Sequence, residues 1–212
     1  MRKHVLEIFK KNKHNLISER GERDYFAKIK NKRNFQIIYL HAREIIERLS
    51  DNSLDIGFSG YDLLKETPIN IQKKISVYKK YNFGNAKLVV AIPNQWIDVQ
   101  TIADVEEVAF EFKDSKKQRI RVATKYPNLT RDFLFSKGVT QFRLVNSLGA
   151  TETYPFTGSS EIITDITSTG ETLKANDLRV LKDGIILESQ ACLLISKKYK
   201  KQIIRDRLIR SL

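Results

Sequence analysis

The sequence predicts an α/β fold built as two lobes, on three observations. Apolar strand-like runs alternate with helix-period segments along the chain, the pattern of sheets covered by helices. Two long apolar runs, KLVVAIP (87–93) and GIILESQACLLIS (184–196), bracket the middle of the chain. The chain is therefore expected to leave one lobe, build a second and return. Finally, several strands run into turns of small or hydroxyl residues that open helices, and open α/β sheets bind ligands at such carboxyl ends. A cleft between two lobes is a natural ligand site.

Taken in order, Val5, Leu6, Ile8 and Phe9 fall at helical spacing and predict a helix over 3–12. FAKI (26–29) and the alternating FQIIYL (35–40) read as a hairpin about a turn at 30–34. AREIIERLS (42–50) is a short helix, followed by a loop at 51–53. In LDIGFSGYDLL (54–64) a strand through Leu54, Ile56 and Phe58 ends in Ser59 and Gly60, and Asp62 opens a helix. IQKKISVYKKY (71–81) reads as strand and turn. KLVVAIP is nearly continuously apolar and stops at Pro93, as a strand buried on both faces should. Residues 94–101 form a loop in which Trp96 packs, and 101–113 a helix with Ile102, Val105, Val108, Ala109 and Phe112 on one side.

RIRVATKYPNLTRDFLFSKGV (119–139) predicts a strand at 120–124, a turn at 125–128 and a helix capped by Asn128 and stopped by Gly138. QFRLVN (141–146) is a strand running into a strand–loop–helix junction at 147–152. EIITDITSTGETL (161–173) places a strand through Ile162, Ile163 and Ile166 before a Ser-Thr-Gly turn, with a helix opening at Thr172. LRVLK (178–182) and the run from Gly184 are expected to pair about a turn at 183–184. A basic amphipathic helix ends the chain, with Ile203, Ile204, Leu208 and Ile209 on its apolar side.

Composition removes several classes of function. No apolar run reaches the ~18 residues of a membrane span, and charge interrupts the apolar start too early for a secretory signal. The single cysteine, Cys192, excludes an intrachain disulfide and a cysteine-rich zinc site, and His4, His14 and His41 lack ligand spacing. A cytoplasmic protein is expected. The net charge of +13 is confined to the ends: residues 1–33 hold 11 basic against 4 acidic residues and 197–212 hold 7 against 1, leaving 34–196 neutral. The basic runs are not interleaved with aromatics, so they read as solvated faces or subunit contacts rather than an RNA surface, and nucleic acid is not an expected partner. A basic lobe still attracts small polyanions such as nucleotides.

The stretch 161–173 carries the most chemistry. A helix N-terminus offers unpaired N–H groups and the positive end of a dipole, Gly170 lets the backbone approach an anion, and Thr169 and Thr172 add hydroxyl donors. Asp165 is placed to accept from sugar hydroxyls or to hold a metal ion. The same residues also read as an ordinary strand–turn–helix with capping threonines.

Three segments, DIGFSGYDLL (55–64), RVATKYPNLTRDF (121–133) and TDITSTGETL (164–173), with LGATE (148–152) between the last two, together resemble the catalytic subunit of the ATP phosphoribosyltransferase family. The resemblance implies two lobes of the periplasmic-binding-protein type with the active site in the cleft: 1–90 with 185–212 as the ATP-side lobe, and 91–184 as the phosphoribosyl pyrophosphate side. It implies the first step of histidine biosynthesis, in which N1 of ATP is joined to C1 of the ribose and pyrophosphate leaves, with Mg²⁺ present. By motif, Ser168, Thr169, Gly170, Glu171 and Thr172 would hold the 5′-phosphate of phosphoribosyl pyrophosphate, with Asp165 at the ribose hydroxyls and Glu152 assisting. Arg43, Gly60, Asp62, Lys125 and Tyr126 would lie at ATP. The Mg²⁺ would be carried by substrate, with no metal ligand assigned on the protein and Asp165 a candidate contact, and no general base is identified.

Two departures accompany the resemblance. Met1 already opens the first helix, so the family's first strand and its basic loop are expected to be missing. The chain also leaves no room for the regulatory domain of the family's long form, so it is expected to resemble the short form. That form works as an oligomer with a regulatory subunit similar to histidyl-tRNA synthetase, for which the basic terminal helix is a candidate contact. Two competing readings are a non-catalytic, two-lobed protein binding a nucleotide or phosphosugar, and an RNA binder whose affinity would fall steeply with salt and survive Thr169→Ala.

Overall fold

The computed structural model describes residues 1–18 and 25–212, with Arg33 described by its backbone alone. The chain forms two compact units, one from residues 1–84 with 190–212 and one from 85–189. None of the described helices is long and apolar enough to cross a membrane.

The first unit begins with α1 (Arg2–Lys11), β1 (Leu16–Ile17), β2 (Phe26–Ile29) and β3 (Lys32–Ile38). There follow α2 (Ala42–Ser50), β4 (Ile56–Gly60), α3 (Tyr61–Glu66), α4 (Ile69–Gln72) and β5 (Ile75–Lys80). It is completed by β11 (Ala191–Ser196), α8 (Lys200–Ile203) and α9 (Arg207–Ser211). The β1-β2-β3 sheet is antiparallel, and in the second sheet β11 lies between β4 and β5, antiparallel to both. Every residue of β11 is fully buried. Its two-residue period divides the core: Ala191, Leu193 and Ile195 pack with Phe9, Ile29 and Leu208, while Cys192 and Leu194 pack with Ile46, Leu49 and Leu64.

The second unit holds β6 (Ala86–Pro93), α5 (Ile102–Lys116), β7 (Ile120–Thr124), α6 (Pro127–Ser136) and β8 (Phe142–Asn146). After a single 3₁₀ turn (Thr151–Thr153) come β9 (Ile162–Thr167), α7 (Glu171–Ala175) and β10 (Leu178–Ser189). One sheet, in the order β10-β6-β9-β7-β8, runs through it, with β7 parallel to β8 and β9, and β6 antiparallel to β9 and β10. The nearly continuously apolar β6 is an interior strand, between β10 and β9, as expected for a strand covered on both faces. Val90 and Ile92 face a core with Ile102, Val122 and Leu134, and Val89 and Ala91 face a second with Ile163 and Leu173. Trp96 packs against the first of these cores. Helix α5 opens with a reciprocal Thr101–Asp104 capping box, and Asp183 accepts the Ile102 amide at 2.9 Å.

The structure corrects five local expectations. The first hairpin turns at residues 30–31, with Asn31 in the left-handed region (φ +64°), and β3 starts at Lys32 and ends at Ile38. Residues 69–72 form a helical turn before β5. Helix α6 begins at Pro127 with Tyr126 as its N-cap, so Asn128 is already inside it; proline at the first helical position gives up no bond. There is no hairpin at 183–184, because β10 runs through, bulging between Val180 and Ile185. A Cβ on Gly184 would lie 3.1 Å from the Val90 carbonyl, so glycine fits the bulge. The terminal helix is two short helices, since the Asp206 carboxylate accepts the Leu208 amide at 2.7 Å and starts α9 afresh.

At the entry to β9, Glu161 accepts the Arg121 amide at 2.6 Å and its guanidinium on both oxygens, tying β9 to β7. Burial pushes the Glu161 carboxyl up, but the Arg121 bonds outweigh it and hold the carboxyl below its ordinary range. A depressed carboxyl stabilises the fold above its unfolded value and loses that contribution as pH falls through the folded one. Glu161→Gln is therefore expected to cost about 1–2 kcal/mol near neutral pH and much less in acid once the wild-type carboxyl is protonated. Urea midpoints at neutral and acid pH check this; an equal difference at both would refute it.

Candidate active site

In the parallel β7–β9 pair, Thr124 stands opposite Thr164. Lys125, the first residue after β7, therefore comes beside Asp165, which is still in β9 and paired with Val89 of β6. Lys125 and Asp165 line an open pocket of about 300 Å³ together with Ser168, Thr169 and Thr172. This is the carboxyl edge of the parallel strands, where ligands of open α/β sheets bind.

Asp165 is the carboxylate lining this pocket, and its Oδ1 accepts the Ile166 amide at 2.9 Å. Burial pushes its carboxyl above the ordinary range; the Ile166 amide and the Lys125 ammonium oppose the rise, and Glu152 adds to it. The site thus sets one partly buried carboxylate against one ammonium, beside a row of hydroxyls. Such a set can accept from sugar hydroxyls and neutralise phosphate charge at neighbouring points.

The turn after β9 is folded by its own hydroxyls. Thr167 Oγ1 accepts the Gly170 amide at 2.8 Å, and Thr169 Oγ1 lies 3.4 Å from the Glu171 amide. Gly170 has φ +80° and open space where a Cβ would stand, so glycine serves the left-handed conformation here rather than a crowded contact. Helix α7 opens at Glu171, one residue before the expected start at Thr172, and buried Leu173 anchors it. Ser168, Thr169, Glu171 and Thr172 are exposed.

The remaining candidates divide. Lys125, expected with the ATP group, lines the same pocket as Asp165. Tyr126 is 5 % exposed and its amide donates to Thr124 Oγ1 at 2.9 Å, so it packs beneath the turn. Glu152 sits on the 3₁₀ turn, whose loop is pinned by a 2.8 Å Ser147–Thr151 hydroxyl bond, and it acts on Asp165 through charge. Arg43, Gly60 and Asp62 belong to the other unit. There Ser59 Oγ donates to the Ala42 carbonyl at 2.9 Å, drawing the end of β4 to the first turn of α2 beside exposed Arg43. Asp62 is 7 % exposed and its carboxylate folds over Gly60, where any Cβ would collide with it. Among the described residues, no group of three or more His, Cys, Asp or Glu could hold a metal ion.

Sequence reasoning missed four threonines. Thr167 closes the turn, and Thr124, Thr130 and Thr164 form a buried hydroxyl cluster beneath Lys125 and Asp165. A threonine three residues before a turn glycine could have pointed to the first. Thr164 is 34 residues beyond Thr130 and 40 beyond Thr124, so the cluster carries no local signal.

Residues 41–212 match the family model of ATP phosphoribosyltransferase. An ATP phosphoribosyltransferase of Nitrobacter winogradskyi is 48% identical over 86% of this chain and 56% of its own length. One from Chelativorans is 46% identical over 84% of this chain and 78% of its own, and one from Brucella melitensis 41% over 93% and 86%. The chain thus spans little more than half of the Nitrobacter relative. Among solved structures, the ATP phosphoribosyl transferase (HisG:HisZ) complex from Thermotoga maritima superposes with a TM-score of 0.72 over 98% of this chain and 91% of that one, at 22% identity. The substrate-binding protein of an amino acid ABC transporter gives 0.52 over 82% and 69%, at 14% identity. These two likenesses are of fold: α/β, of the periplasmic-binding-protein type.

Proposed function

The chain belongs to the ATP phosphoribosyltransferase family, and on that footing we propose that it joins N1 of ATP to C1 of the ribose of phosphoribosyl pyrophosphate. The bond from C1 to the pyrophosphate oxygen breaks as the new C–N bond forms, and pyrophosphate leaves; this is the first step of histidine biosynthesis. The observation that carries the proposal is the pocket in which Lys125 and Asp165 share a wall with Ser168, Thr169 and Thr172. In this reading the Ser168–Thr172 turn, including Gly170 and Glu171, receives the 5′-phosphate. Asp165 accepts from the ribose hydroxyls, Lys125 neutralises phosphate charge, and Glu152 keeps the carboxylate basic through repulsion. Arg43, Gly60 and Asp62 belong to the ATP side, with residues 85–189 the phosphoribosyl pyrophosphate unit, in which buried Tyr126 supports the turn that carries Lys125. Mg²⁺ enters as part of the pyrophosphate substrate.

Such a displacement needs two anions brought together and a leaving group neutralised, which positioning and electrostatics supply without a covalent nucleophile. The same proposal places the protein in the cytoplasm with its nucleotide substrates. It also makes the chain part of an oligomer with a regulatory subunit similar to histidyl-tRNA synthetase, supported by the fold it shares with the Thermotoga complex.

Pyrophosphate release should require ATP, phosphoribosyl pyrophosphate and Mg²⁺ together. Thr169→Ala, which takes one hydroxyl from the phosphate turn, should lower it about 10–100-fold. A folded protein that binds ATP yet releases no pyrophosphate, with or without a regulatory subunit, would instead be a binding protein.

A further inference from the structure

Beneath the pocket, three threonine hydroxyls close on one another. Thr164 Oγ1 donates to Thr124 Oγ1 at 2.6 Å, Thr130 and Thr164 are 2.7 Å apart, and Thr124 and Thr130 are 3.1 Å apart. A hydroxyl has one proton to give. With that of Thr164 given to Thr124, the protons of Thr130 and Thr124 complete a ring, each hydroxyl donating once. Thr124 Oγ1 also accepts the Tyr126 amide at 2.9 Å. All three residues are 0 % exposed.

The ring joins three elements at one point: the end of β7, the first turns of α6 and the strand β9. Its two strand members directly precede Lys125 and Asp165, the opposite charges of the pocket. Thr130 is not among the residues lining the pocket of Lys125 and Asp165, and its hydroxyl links α6 into the ring.

We propose that Thr130 is a positioning residue, whose hydroxyl fixes the spacing of Lys125 and Asp165 by tying α6 to Thr124 and Thr164 at once. For its turnover readout the inference rests on the transferase reading above. Valine keeps the shape of threonine but removes the proton and an acceptor, so Thr130→Val opens the ring. A displacement on the order of 1 Å at a reacting centre costs up to about 10²-fold in rate.

The experiment measures kcat and KM for both substrates in the wild type, Thr130→Val, Thr130→Ser and a packing control, Val122→Ala, on the core side of β7, with urea midpoints for each. The expected result is a kcat about 10–100-fold lower in Thr130→Val, largely recovered in Thr130→Ser, and within a few-fold of wild type in Val122→Ala despite its lower urea midpoint. A Thr130→Val enzyme within about threefold of wild type, or an equal loss in Val122→Ala, would overturn the proposal. If the wild type shows no turnover, the transferase reading fails and the ring is judged by ¹³C NMR titration of the Asp165 carboxyl. Lys125 and Glu152 are the charges acting on it. Loosening Lys125 should move the Asp165 titration further upward in Thr130→Val than in wild type, and an unchanged titration would overturn the proposal.

Discussion

Asp165→Asn is expected to cut turnover on the order of 10²-fold while making the protein more resistant to urea. The two effects have one origin. Burial disfavours the charged carboxylate, and that charge persists because Lys125 and the Ile166 amide face it. Asparagine keeps an oxygen for the Ile166 amide and leaves no charge to bury. It presents one acceptor where the carboxylate offers two, and it no longer opposes positive charge at the ribose. The pH dependence has a definite sign. Because the folded carboxyl lies above its unfolded value, the wild type loses stability as pH rises from the ordinary carboxylate range through the raised value. Asp165→Asn should lose none over that window, the reverse of the Glu161 dependence at the other end of the same strand. Urea midpoints across mildly acidic pH, with kcat at a fixed pH, check both halves; an unchanged kcat would remove Asp165 from the proposed site.

Truncation after Asp206 is expected to prevent the unit containing β11 from folding. Leu208, Ile209 and Leu212 are 1–2 % exposed and pack with Phe9, Ile29 and Leu193. At about 1.5–3 kcal/mol for each buried aliphatic side chain, the three contribute roughly 5–9 kcal/mol, comparable with the net stability of a typical domain. The Leu212 carbonyl also accepts from Lys79 Nζ at 2.7 Å and Tyr81 Oη at 2.8 Å; burial pushes the Tyr81 hydroxyl up to about 12, so it remains a donor throughout the working range. Hydrogen exchange of the β11 amides in the truncated chain gives the answer: protection equal to the full chain would contradict the estimate. The apolar side of this terminal segment is thus occupied within its own unit. A partner contact there would use the exposed Lys200, Lys201, Arg207 and Arg210. Charge reversal at those residues tests assembly; deletion does not.

The fold and the turn after β9 were legible where the signal was local. The strands of ATKYPN and TDITSTG are short apolar runs ended by small polar residues, and both junctions lie where that pattern puts them. Local signals misled where distant contacts decided the outcome. Asp183-Gly184 has the composition of a hairpin turn, yet Asp183 caps α5 and Gly184 fits a bulge against Val90. Asn128 has capping chemistry, but Pro127 is better placed to start the helix. The apolar period of Ile203, Ile204, Leu208 and Ile209 gave no sign of the break at Asp206. The threonine ring was invisible because Thr124 and Thr164 meet only through the register of β7 on β9.

The placement of β11 orders the events of synthesis. It is the strand between β4 and β5, yet it follows them by more than a hundred residues. At roughly 5–20 residues per second on the ribosome, β4 and β5 wait on the order of 5–20 s for the strand that joins them. The intervening unit, residues 85–189, is contiguous and emerges whole during that interval. The nascent chain therefore carries the edges of β4 and β5 without the strand that joins them while its middle is already available to fold, and it is over that interval that those edges are exposed to wrong pairing.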